Sequence, residues 1–137
     1  MARIHPLRGA DGLLRLDVER YADGLVLGVD GEVDLQSCGV LRSAFDELDE
    51  LDDEQLHRIV VDLSALSFTD SSGLAVLIRA YKHARDRGVL FTVVCPRGPI
   101  RDLFAITGLV DVLHLVDTVG QAWALDAERA RPDDESR

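Results

Sequence analysis

The chain has 137 residues, 47% hydrophobic and 29% charged, the length and composition of one globular domain with its own core. Its formal net charge of −10 argues against nucleic acid as a direct partner, since the phosphates would be repelled. No run approaches the ~18 uninterrupted apolar residues of a membrane span, and Met1 to Gly12 lacks a signal peptide's apolar stretch, so a cytoplasmic protein without a membrane partner is expected.

Residues 1–12 read as an N-terminal extension. From Leu13 to Glu19 the chain alternates, with Leu14, Leu16 and Val18 on one side and Arg15, Asp17 and Glu19 on the other, which predicts a strand. Tyr21-Ala22-Asp23-Gly24 reads as a turn into a second strand, Leu25 to Val29, and so short a connection makes the pair antiparallel. From Ser37 to about Leu51 the period becomes helical through Leu41, Ala44, Phe45, Leu48 and Leu51, with Ser37 as N-cap. Ile59 to Leu63 is a β-branched run suited to a central strand. Asp70 or Ser71 opens a helix with an apolar stripe of Leu74, Leu77, Ile78 and Tyr81, ending near Gly88. Val89 to Cys95 is the next strand, and Pro99 starts a helix that Gly108 stops. Val112 to Val116 is a last strand, and Val119 to about Glu128 a last helix, with Trp123 as a packed anchor. The domain therefore spans 13–128, and the polar stretch 129–137 reads as a disordered tail. The order β-β-α-β-α-β-α-β-α predicts an α/β fold: a small mixed, mainly parallel sheet with helical crossovers, opening with a β-hairpin.

Cys38 and Cys95 have no metal-like spacing and read as buried reduced thiols. The four histidines add no ligand pattern, and no glycine-rich fingerprint opens a helix, so neither metal nor organic cofactor is expected. The informative segment is Asp70-Ser71-Ser72-Gly73, at the mouth of a helix that follows a strand. Free N–H groups and the helix dipole there favour negative charge, including phosphate. Gly73 leaves the first turn bare, so that another surface can approach. An ordinary capping sequence explains the same residues equally well. Asp34 follows the second strand, near the strand ends where open α/β sheets place their sites, and either shapes a partner surface or caps the first helix. Ser72 reads more naturally as a cap than as a second acceptor. Arg79 and Lys82 lie three apart on the helix, where they meet an acidic partner or form a solvated face. The acidic run at 46–54 admits the same two readings.

A hydrolase is disfavoured because no Gly-x-Ser-x-Gly elbow surrounds Ser71. A phospho-aspartate receiver domain would need a late lysine, and the chain's only one is Lys82.

The stretch Val60 to Leu74 resembles the signature of STAS domains, above all bacterial anti-sigma factor antagonists: an apolar strand, a Phe two residues before an Asp, two small hydroxyl residues, Gly and Leu. Gly31-Glu32-Val33-Asp34 resembles that family's Gly-Glu-Leu-Asp, with Ser37 where a Thr often starts the first helix. Tyr81-Lys82 stands at the usual distance after Gly73. Arg101-Asp102-Leu103-Phe104 with Thr107-Gly108-Leu109 resembles the helix that ends in Gly-Leu, and the likeness runs from about Leu14 to Leu125. The resemblance implies the STAS fold and a binding protein that is not an enzyme. Its partners would be an anti-sigma factor with serine kinase activity, which phosphorylates Ser71 (Ser72 at most as a minor site), and a serine phosphatase. Binding to the anti-sigma factor would release a sigma factor, and phosphorylation would end the binding. The partner surface would include Asp34, Asp70, Ser71, Ser72, Gly73, Arg79 and Lys82. The alternative within the fold is a non-phosphorylated scaffold or subunit of a sensory or transport complex.

Overall fold

The computed structural model describes residues 7–8, 13–51 and 54–125. Strand β1 (Leu7–Arg8), inside the stretch read as an extension, pairs antiparallel with β2 (Leu14–Arg20). β2 then pairs antiparallel with β3 (Gly24–Val33), as the alternation requires: Leu14, Leu16 and Val18 are buried while Arg15 is exposed. β3 runs four residues beyond its predicted end at Val29. The reason is a strand in a stretch to which the sequence assigned no element: β5 (Leu66–Thr69) pairs parallel with Gly31 to Val33 and extends the ladder. β4 (Arg58–Asp62), β6 (Leu90–Val94) and β7 (His114–Val116) complete the sheet in the order β1-β2-β3-β4-β6-β7, parallel from β3 onward, with β5 beside the end of β3.

Helices α1 (Cys38–Asp49), α2 (Ser71–Asp86) and α3 (Pro99–Ile106) cover one face. Phe45 and Leu48 of α1, Leu74 and Leu77 of α2 and Phe104 of α3 pack there against Leu16, Leu27, Val61 and Phe91. Among the described residues the other face is covered only in part. Short α4 (Val119–Trp123) brings Ala122 and Trp123 against Val60 and Val94. The predicted last helix reaches to about Glu128, and its end lies outside the described residues, as does the predicted tail. The predicted last strand loses its start, because Leu109–Asp111 forms a 3-10 turn.

Trp123 is the packed anchor expected. Its ring meets Tyr21 edge-on at 5.1 Å, and the buried Arg58 guanidinium stands 5.3 Å from its centroid. Arg58 Nη1 donates to the carbonyls of Ala122 (3.3 Å) and Trp123 (2.9 Å), while Nε lies 3.2 Å from the Asp23 carboxylate. Burial of a charge is tolerated when it is paired and hydrogen-bonded in this way.

Two local readings change. Two acids of the run face α2 rather than only solvent or a partner: Asp46 pairs with Arg79 at 2.8 Å, and Asp49 with His83 at 2.9 Å and Arg87 at 3.4 Å. The Arg79 hydrogen bond holds the Asp46 carboxyl below its usual range, against an opposing push from desolvation. Cys95 is buried, and burial pushes its thiol up to about 11. Cys38, in contrast, is only half-buried in the first turn of α1.

Candidate functional site

β3 and β5 end side by side, Glu32 opposite Phe68 and Val33 opposite Thr69. The Asp70 amide donates to the Val33 carbonyl at 3.3 Å. Asp34 and Asp70 are thus each the first residue beyond a paired strand end, and each opens a helix. Asp34 Oδ1 accepts from the amides of Gln36 (3.0 Å) and Ser37 (2.9 Å) and faces the Ser37 hydroxyl at 3.0 Å. Ser37 occupies the N-cap position, yet its hydroxyl makes no cap bond; it accepts from the Asp34 amide at 2.9 Å instead. Asp34 therefore closes the turn that leads into α1, bonding amides that precede the helix rather than the helix's own.

Asp70 caps α2 directly. Its Oδ1 accepts from the amides of Ser72 (2.9 Å) and Gly73 (3.4 Å) and from the Ser72 hydroxyl. The Ser72 hydroxyl, helped by the two amides, lowers the Asp70 carboxyl below its ordinary value although desolvation pushes the other way. This bond separates the two serines. Ser72 is half-buried and committed to Asp70, while Ser71 is exposed and, among the described residues, its hydroxyl makes no hydrogen bond. Among the described residues no imidazole or carboxylate is bonded to Ser71 Oγ to take its proton, as the nucleophile–base pair of a hydrolase would require. The arrangement leaves an exposed hydroxyl at a helix N-terminus, where negative charge is tolerated.

Gly73 has a different physical role from the one its sequence suggests. It is buried, and the space a Cβ would take is filled by Thr69 Oγ1 and by Val33 Cγ1 at 2.9 Å. The bare first turn lets α2 sit against the ends of β3 and β5; it offers no surface to a partner. Arg79 and Lys82 follow Ser71 by 8 and 11 residues on α2, about 12 and 16 Å along the axis at ~1.5 Å per residue. The structure does not bring them to Ser71. Arg79 is engaged by Asp46, and Lys82 is exposed on a shallow groove with Ala75 and Ile78. Sequence reasoning passed over the exposed Leu13, Leu35 and Phe68 near the same strand ends. The signal available was Phe68, an aromatic ring between Ser67 and Thr69 in a segment too short to show a period. Among the described residues no group of three or more His, Cys, Asp or Glu side chains is placed to hold a metal, and no helix is long and apolar enough to cross a membrane.

Residues 15–122 match the STAS domain family. The chain belongs to that family. A curated relative, the anti-sigma F factor antagonist of Paenibacillus polymyxa, is 29% identical over 76% of this chain and 87% of its own length. The anti-sigma-B factor antagonist of Listeria monocytogenes is 30% identical over 75% of this chain and 88% of its own length. The crystal structure of an anti-sigma factor antagonist from Mycobacterium paratuberculosis superposes with a TM-score of 0.70 at 26% identity, over 85% of this chain and 96% of that one. The expected α/β fold with its mainly parallel sheet is the STAS fold. The named relatives are antagonists of regulatory proteins, which agrees with the expectation of a STAS domain that binds rather than catalyses.

Proposed function

We propose that this STAS domain is a cytoplasmic antagonist of an anti-sigma factor, active in binding while Ser71 is unmodified and switched off when that residue is phosphorylated. The anti-sigma factor is itself the serine kinase in this reading, and a serine phosphatase restores the binding form. The observation that carries it is the difference between two adjacent hydroxyls: Ser71 exposed and unbonded, Ser72 held by Asp70. The names of the relatives support the partner class. Asp34 and Asp70 shape the surface around Ser71, and the exposed side of α2 with Lys82 extends it.

The switch follows from charge. A phosphoserine adds roughly −1.5 to −2 charges, which the α2 dipole partly offsets in the free protein. Against a partner the dianion must be desolvated beside Asp70, and a badly placed buried charge weakens an interface by ~2–5 kcal/mol, roughly 30-fold to several thousand-fold in affinity.

The test is incubation with candidate anti-sigma factor kinases of the source organism and ATP, followed by mapping of the phosphate by mass spectrometry. Ser71→Ala abolishes labelling, and Ser72→Ala leaves most of it. Full labelling of Ser71→Ala would remove the assignment. A protein that binds its partner but is never labelled would be the non-phosphorylated scaffold instead.

A further inference from the structure

Near Ser71 in the chain, an apolar row lies across the ends of β2, β3 and β5. Leu13 and Phe68 are exposed beside the buried Leu14 and Thr69, and Glu32 is half-buried beside the buried Val33, just past the register shift between Gly31 and Glu32. The Glu32 amide donates to the Leu13 carbonyl at 3.1 Å, and Glu32 is the register partner of Phe68. Leu13 and Phe68 therefore flank Glu32, about 10 Å apart at ~4.8 Å per strand. They are 51% and 45% exposed, and Leu35, two residues past Val33, is 78% exposed. Helix α4 lies over Val60, Val94 and Val116, away from the row. Acidic residues surround it: Asp30 and Glu32 in β3, Asp34 beyond that strand and Asp70 beyond β5.

We propose that Leu13, Glu32, Phe68 and Leu35 form the docking surface for the protein that reads Ser71, an apolar side chain of the partner seating between Leu13 and Phe68 while a basic one meets Glu32. This rests on the regulatory reading of Ser71. Three observations select that occupant. Phe68 is three residues before Ser71 in the same β5–α2 segment, so one partner surface spans both. The stretch from Asp126 to Arg137 offers only Ala127, Ala130 and Pro132 as apolar side chains, too little to fill the row. A second copy would bring the same acids together in a chain of net charge −10, where like charges oppose docking.

The probe is the anti-sigma factor kinase that labels Ser71, and the measurement is its Kd for the full chain by calorimetry. Leu13→Ser/Phe68→Ser and, separately, Glu32→Lys are each expected to weaken binding at least tenfold while the melting midpoint stays within a few degrees of wild type. Glu32→Lys changes charge without touching the apolar pair, so it tests the surface even where the double variant fails to fold. Added salt is expected to weaken wild-type binding more than that of Glu32→Lys. Binding of both variants within twofold of wild type, alongside weakened binding of Ser71→Asp, would overturn this surface and leave the regulatory reading intact. Failure of every kinase to bind or label the wild type would overturn both. A wild-type dimer in sedimentation that Leu13→Ser/Phe68→Ser converts to monomer would assign the row to a second copy and overturn the proposal.

Discussion

Ser71 and Ser72 are neighbours of the same type with opposite fates, and the difference rests on one carboxylate. At N1 of α2 a new charge is favourably placed, so Ser71→Asp should shift the melting midpoint by only a few degrees, ~1 kcal/mol or less. Its affinity for the anti-sigma partner should fall at least tenfold in the same preparation. An unfolded Ser71→Asp would instead mark the residue as structural. Asp70 gives a pH signature. Because the Ser72 hydroxyl holds its carboxyl lower in the folded protein than in the unfolded chain, its contribution is fully present above the unfolded value, ~3.9. It is lost as pH falls through the folded value. Asp70→Asn keeps an oxygen that can cap but loses the charge. Urea unfolding should therefore show wild type and Asp70→Asn further apart at pH 7 than at pH 3. A gap that does not narrow would mean the charge of Asp70 is not what holds the cap.

At the scale of elements, the hairpin, α1, α2, β4 and β6 were legible because each carries its own period, as in Leu14-x-Leu16-x-Val18 or the Leu41, Phe45, Leu48 stripe. β5 was not. Four residues with two buried ends around Ser67 and Phe68 carry no period, and their strand character comes from the free edge that β3 presents beyond β4. The cap at Asp70 was legible in type and the partition of the serines was not, since that depends on where one side-chain oxygen points. Gly73 shows the same limit: its presence is local, its reason tertiary. Gly73→Ala should destabilise the domain by ~1–3 kcal/mol, the usual range for forcing atoms into a packed site. Thr69→Ala, which removes one of the two atoms in the way, should recover part of that loss in a double-mutant cycle by urea unfolding. Additive losses would mean that the two residues do not share the space.

At the scale of the molecule, the two ends of the parallel strands do different work. The ends of β3 and β5 present Asp34, Asp70 and Ser71. The starts of β3 and β4 hold Asp23 and Arg58, which tie down α4. That division was not legible, because a charged Arg58 before Ile59 reads as the edge of a strand, not as a group whose partners lie 64 and 65 residues away. Nor was the pairing of α1 with α2, although the charges on both segments were visible in the sequence.

The contacts of Arg58 with α4 hold the chain's one tryptophan, and this makes the molecule report on itself in two separate channels. The edge-on Tyr21 ring, a guanidinium overhead and partial burial set the emission of Trp123, and all of these lie at the end of the sheet away from Ser71. Intrinsic fluorescence should then be silent to Ser71→Asp, its maximum unmoved, while the same signal follows denaturation of the whole domain. Arg58→Ala strips the carbonyls of Ala122 and Trp123 of their donor, and should both shift the emission to the red and destabilise the fold by ~1–3 kcal/mol. A spectrum that changes with Ser71→Asp would show the two ends of the sheet to be coupled; one that stays fixed allows a single cuvette to record folding while a phosphate comes and goes unseen.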